Sequence, residues 1–171
     1  MTHVRNLAPG VAELDRVYGL RQRYYEIFME DYHRSIERVD PVLIELCRLR
    51  MATLLGSRLD LSLRYRPALE AGLSEAKLRE LPSYARSALY SDRERCCLEF
   101  AEQFVIQSSS IGDEEVARVQ QVLEPEAFIY FVKALSVMDQ LQRGCSAFDI
   151  QPSGAVPATM ERFQPAPGPS P

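Results

Sequence analysis

The run Pro41 to Gly56, PVLIELCRLRMATLLG, constrains this chain more than any other stretch of it. Asp40 offers a carboxylate at the N-cap position, and Pro41 follows at the first helical position, where its missing N–H costs nothing. Gly56 supplies the stop. The segment between is too long for a strand, and its apolar residues fall on nearly every helical face. A helix apolar all round is buried by its neighbours, so a fold that accommodates this one surrounds it with other helices. Within it stands Glu45, a carboxylate in an otherwise apolar interior, which calls for a partner.

Punctuation elsewhere marks further helices. Ser57-Arg58-Leu59-Asp60 reads as a cap with an acid three residues on, opening a second helix SRLDLSLRYRPALEAG that Gly72 ends and that Pro67 kinks or splits into two shorter pieces. The two helices are expected to form a central hairpin. Ser74 can cap SEAKLREL, PSYARSALY reads as a link, and Ser91 with Glu94 forms a capping box ahead of a helix carrying Cys96, Cys97, Phe100, Ala101, Phe104 and Val105 on one face. EEVARVQQVL and the stretch from Pro125, with Phe128, Phe131, Val132, Leu135 and Met138 at the 3.6 period, supply two more. Upstream, RQRYYEIFMEDYHRSIER places Tyr24, Ile27, Phe28, Tyr32 and Ile36 at helical spacing. No window alternates as a strand does. The expectation is an all-α bundle of about six to seven helices: one domain over 1–150, of which 1–40 is an N-terminal helical extension, then a Pro-rich tail, 151–171, extended or disordered.

Composition narrows the function. The 171 residues are 46% apolar, enough for one substantial core. A net charge of -4 with mixed signs gives no footprint for nucleic acid. No stretch approaches a membrane span, and MTHVRNLAPG carries no signal core, so a cytoplasmic protein is expected. Four cysteines without C-x-x-C spacing and two histidines, His3 and His33, leave neither a disulfide framework nor a His-rich metal site. No metal or cofactor is expected.

The run LIELCRLRMATLLGS, then Asp60, Arg64, EAGLSEAKLRELPSYARSALYSDRERCCLEFAEQF and FIYFVKALSVMDQLQRGCSAFDI, together about residues 41 to 150, resembles the alkyl hydroperoxidase D-like (AhpD-like) and carboxymuconolactone decarboxylase proteins. The resemblance implies an all-α bundle assembling as a trimer or hexamer. Its peroxidase branch carries a glutamate, matched by Glu45, then C-x-x-C-x-x-x-H, where the helix N-terminus activates a thiol. Ser57, Asp60 and Arg64 stand at those three positions. Neither Ser nor Asp can form a disulfide, so the redox cycle is not expected here. The decarboxylase branch keeps a histidine where Arg64 stands, and a guanidinium cannot shuttle a proton near neutral pH.

Two functions from different classes follow. In one, the family's pocket is retained for lyase- or isomerase-type acid–base chemistry on a small organic molecule, with Glu45, Asp60 and Ser57 catalytic and Arg64, Tyr65 and His33 binding substrate. Ser57 and Asp60 then stand at the pocket mouth. In the other, Ser57 and Asp60 only cap a helix, Glu45 forms a buried bridge with Arg48 or Arg64, and the protein is a non-catalytic ligand-binding or structural oligomer. Asp139 and Arg143, four residues apart, read as structural or as part of an oligomer contact.

Overall fold

The computed structural model describes residues 22–152 and 157–161. His3, most of the 1–40 extension and much of the tail lie outside the described residues. Among the described residues, eight α-helices run α1 Gln22–Ile36, α2 Pro41–Leu55, α3 Arg58–Leu61, α4 Arg66–Glu70, α5 Glu75–Glu80, α6 Asp92–Gln107, α7 Asp113–Val122 and α8 Pro125–Ala147. Short 3-10 turns occupy Leu81–Arg86 and Ser108–Ser110. The fold is all-α.

α2 is the axis. The Asp40 carboxylate accepts the Leu43 N–H at 3.0 Å, Pro41 opens the helix, and Gly56 closes it in the left-handed region at φ 68°. Leu43, Ile44, Leu46, Cys47, Leu49, Met51 and Ala52 are all buried, because α6 lies along one side of α2 and α8 along another. α6 starts at the expected capping box, Ser91 and Glu94 each closing the other's backbone N–H. α8 brings Phe131, Ala134, Leu135 and Met138 into the same core, with Phe100 of α6 against the Phe131 ring. Asp139 and Arg143 pair at 2.8 Å, and Arg143 also donates to the Val105 carbonyl, tying α8 to the end of α6.

α1 packs on α8 with the expected Tyr32 and Ile36 inward and Phe28 half-buried. Tyr25, Met29, Tyr32, His33 and Ile36 point inward, while Tyr24 and Ile27 are exposed. Asp31 with Lys133 and Arg38 over the Tyr130 ring pin the outer seam.

The larger correction lies between Ser57 and Gly72. The sequence predicts a helix that Pro67 kinks or splits into two shorter pieces; the chain makes a single helical turn, α3, a strand β1 (Leu63–Tyr65), and the five-residue α4. Pro67 sits in the first turn of α4 rather than inside a helix, where its missing N–H is harmless. β1 pairs in parallel with β2 (Ala158–Met160) from the tail, Leu63 opposite Ala158 and Tyr65 opposite Met160. No alternation in the sequence announces so short a pair, and its halves lie 95 residues apart.

Adding a Cβ at Gly56 meets no neighbour within 4 Å, so only its positive φ resists substitution. Gly56→Ala is expected to cost about 1 kcal/mol in urea unfolding, without a change of fold.

Candidate functional site

Glu45 and Arg48 stand three residues apart on α2, hence on the same helix face. Both are buried, at 1% and 2% exposure. Arg48 Nε donates to Glu45 Oε2 at 2.7 Å and Nη2 to Oε1 at 2.8 Å, a two-pronged pair. The remaining donors reach across to the next elements. Nη2 also donates to the Leu63 carbonyl at 2.9 Å, and Nη1 donates to the Asp60 carbonyl at 2.8 Å and to Asp60 Oδ1 at 3.3 Å. All five N–H groups of the guanidinium are thereby used. Glu45 Oε1 accepts a further bond, from the Tyr65 N–H at 3.1 Å.

These contacts explain why the helix expected after Ser57 stops. Residues 63 and 65 of a strand turn their backbone groups to one side. On that side the Leu63 carbonyl meets Arg48 and the Tyr65 N–H meets Glu45, so the ion pair fills the place of a neighbouring strand. Residues 62 and 64 turn the other way, where the Ser62 carbonyl accepts from the Ala158 N–H of β2 at 2.9 Å. The interactions that end the helix come from side chains on α2 and from the tail.

Ser57 makes no helix cap. Its Oγ donates to Asp60 Oδ2 at 2.5 Å instead, and both residues are buried, Ser57 completely. The expected cap thus gives way to a hydroxyl–carboxylate pair, and neither residue lies at an open mouth. Two carboxylates, Glu45 and Asp60, face one guanidinium in a site closed to water. Burial raises the Asp60 carboxyl above its ordinary range, against the opposing pull of Arg48 and the Ser57 hydrogen bond. The Tyr32 phenol from α1 feels the same charges and is driven upward by burial, as is the Cys145 thiol from α8, which senses Asp60. Gln142, also on α8, donates its amide to the Arg48 carbonyl at 3.0 Å.

The structure therefore brings Glu45, Asp60 and Ser57 together around Arg48, and the Tyr65 backbone with them. It does not bring Arg64: that side chain is half-buried and donates to the Leu61 and Leu63 carbonyls. The tertiary partnership expected between Glu45 and Arg64 goes to Arg48, because β1 turns Arg64 away where a helix would have carried it inward. His33 is on the buried face of α1, edge-on to Tyr32, and burial pulls its pKa down to about 4, so the ring is neutral at physiological pH. Sequence reasoning passed over Gln142 and Cys145 as neighbours of this site. Both stand on α8, and a signal existed in their spacing of three, which puts them on one helix face. Among the described residues, no group of three or more His, Cys, Asp or Glu converges as a metal site.

Among solved structures, the chain superposes on a protein of unknown function from Agrobacterium tumefaciens that is provisionally assigned to the antioxidant defence protein AhpD. The TM-score is 0.69, over 81% of this chain and 97% of that one. The chain has the AhpD-like fold. Sequence identity across that superposition is 17%, so the likeness is one of architecture. No protein-family model matches the sequence, and no curated protein matches it. Within the AhpD-like fold, then, the glutamate on the central helix is spent on an internal arginine.

Arg48→Met strands two buried carboxylates and is expected to lower unfolding free energy by about 3–5 kcal/mol in urea. Replacing an isolated buried pair by apolar residues is often neutral. Here the double change Glu45→Leu with Arg48→Met is expected to stay destabilised by about 1–3 kcal/mol for each backbone group of β1 left unsatisfied, a result that a self-contained pair would not give.

Proposed function

We propose that this protein is an AhpD-fold oligomer that binds a ligand or partner without thiol redox chemistry, and that the residues at the family's reactive positions serve its architecture. One observation carries this: every donor of Arg48 is engaged inside the chain, and Glu45, Arg48, Ser57 and Asp60 are all at 3% exposure or less. A catalytic carboxylate needs a free lone pair facing a substrate. Glu45 faces Arg48 and the Tyr65 N–H.

The thiols support the same reading. Cys47, Cys97 and Cys145 are buried, and burial pushes Cys97 up to about 12 and Cys47 and Cys145 upward as well. The thiolate is the nucleophile, so such groups are inert near neutral pH. Cys96, half-buried, is also raised by partial burial.

A second reading keeps acid–base catalysis, with Asp60 as the acid, Ser57 its hydroxyl partner, Glu45 a base, and Arg64, Tyr65 and His33 on the substrate side. The observation that favours it is Asp60 itself, a carboxyl raised by burial beside a hydroxyl at 2.5 Å, the state a general acid requires. Asp60→Asn separates the two readings: under catalysis it abolishes turnover, whereas under the architectural role ligand binding persists in proportion to the folded fraction.

Peroxide supplied with a dithiol donor is expected to be left unconsumed. In the native state iodoacetamide should label Cys96 alone, the other three thiols reacting only in denaturant, as read by mass spectrometry. Peroxide turnover lost in Cys47→Ser would contradict the proposal.

The assembly expected is a trimer or hexamer. Ile106 and Ile129, each 67% exposed, leave apolar surface on α6 and α8 for neighbours to cover. Light scattering at micromolar concentration should return three or six times 19.4 kDa, and a monomer mass refutes it. No helix among the described residues is long and apolar enough to cross a membrane.

A further inference from the structure

We infer that the edge of β1 facing β2 is a recognition groove for an extended peptide carrying an apolar residue followed by an acidic one, filled in this chain by its own residues 158–161. Most three-residue strands exist only while a partner strand holds them. β1 differs, because its opposite edge is fastened by side chains: Arg48 on the Leu63 carbonyl and Glu45 on the Tyr65 N–H. Removing β2 leaves those bonds in place. The Ser62 carbonyl and the backbone groups of Arg64 then remain aligned as an open strand edge, ready for a replacement strand.

The present occupant describes the chemistry the groove accepts. Met160, opposite Tyr65, is the buried anchor at 2% exposure, whereas Ala158 and Thr159 are half-buried. Glu161 follows directly, both its carboxylate oxygens accepting from Arg66 Nε at 2.7 and 2.6 Å. Main-chain pairing would supply affinity, the methionine site and Arg66 the selectivity. Besides the Met160 anchor, the occupant contributes one three-residue parallel ladder and an ion pair whose side chains are half exposed and screened by solvent. Tethering adds to this hold: Ile150 is buried and only seven residues separate it from Ala158, so the local concentration of the strand is on the order of millimolar. The fitting partner is another protein's extended segment of this apolar–acidic pattern.

The test uses the full chain. Met160→Asp places a charge in the apolar anchor site and should release the segment. A fluorescent peptide of the sequence 155–163 is then expected to bind this variant at least tenfold more tightly than it binds the unaltered chain. Glu161→Lys in the peptide should weaken binding several-fold, and adding Arg66→Glu to the protein should restore it. Failure to bind a cooperatively melting variant, equal binding to both proteins, or no rescue by the charge swap overturns the inference. So does unfolding of Met160→Asp, which would make the segment an integral part of the core. Hydrogen exchange in the unaltered chain reads the same question independently: corrected for intrinsic rates, the Ala158 N–H should exchange at least tenfold faster than the Tyr65 N–H. Equal protection means that β2 leaves only with global unfolding and overturns the inference. A dimer of the unaltered chain that Met160→Asp dissolves assigns the groove to a second copy and overturns the peptide partner.

Discussion

A guanidinium taken out of water must find an acceptor for each N–H, and the local structure around Arg48 follows from that requirement. Glu45 takes two of the donors, and Asp60 and Leu63 take the rest. Meeting it draws α3 and β1 against α2 and fixes where the helix after Gly56 must end. The pair is more than a buried bridge, since it also completes a strand edge. Apolar residues could fill its volume, yet none could accept from the Tyr65 N–H or donate to the Leu63 carbonyl. That gives a physical reason for charge in the middle of an otherwise apolar helix.

The same arrangement bears on what the AhpD-like fold can do in this chain. Thiol activation at a helix start relies on a run of aligned peptide dipoles and on access for the oxidant. α3 has four residues and its first turn is sealed, with Ser57 at 0% exposure. Placing cysteines at 57 and 60 would therefore not by itself create a reactive thiolate.

Much of this was legible in the residues. α2 could be read from Asp40-Pro41, Gly56 and the unbroken apolar run, α6 from Ser91 and Glu94, α8 from its 3.6 period, and the burial of Glu45 from its surroundings. What escaped was set by tertiary contacts. The segment after Ser57 has good helical credentials, and nothing local says that Leu63 and Tyr65 will be claimed by side chains of α2. Ser57 looks like a cap because Ser-x-x-Asp usually is one, but the Asp60 carboxylate competed for its hydroxyl. Arg48 was legible as the local partner of Glu45, while the orientation of Arg64 depended on β1. Periodicity placed α1 and its buried Tyr32 and Ile36 correctly but put Tyr24 and Ile27 inward, since Tyr24 and Tyr25 are equally plausible until α8 chooses between them.

The pairing of β1 with β2 also orders events in time. Helices form through contacts close in sequence, whereas this ladder joins residues 95 apart and closes a loop that contains most of the bundle. During synthesis the segment from α2 to β1 emerges before β2, which cannot pair until some 95 further residues have left the ribosome. Over that interval a nascent chain exposes the β2-facing edge of β1, with Arg48 and Glu45 already able to hold its inner edge. A chain cut short by a premature stop between α8 and β2 would therefore keep these helices and present a bare strand edge to whatever pairs with it first.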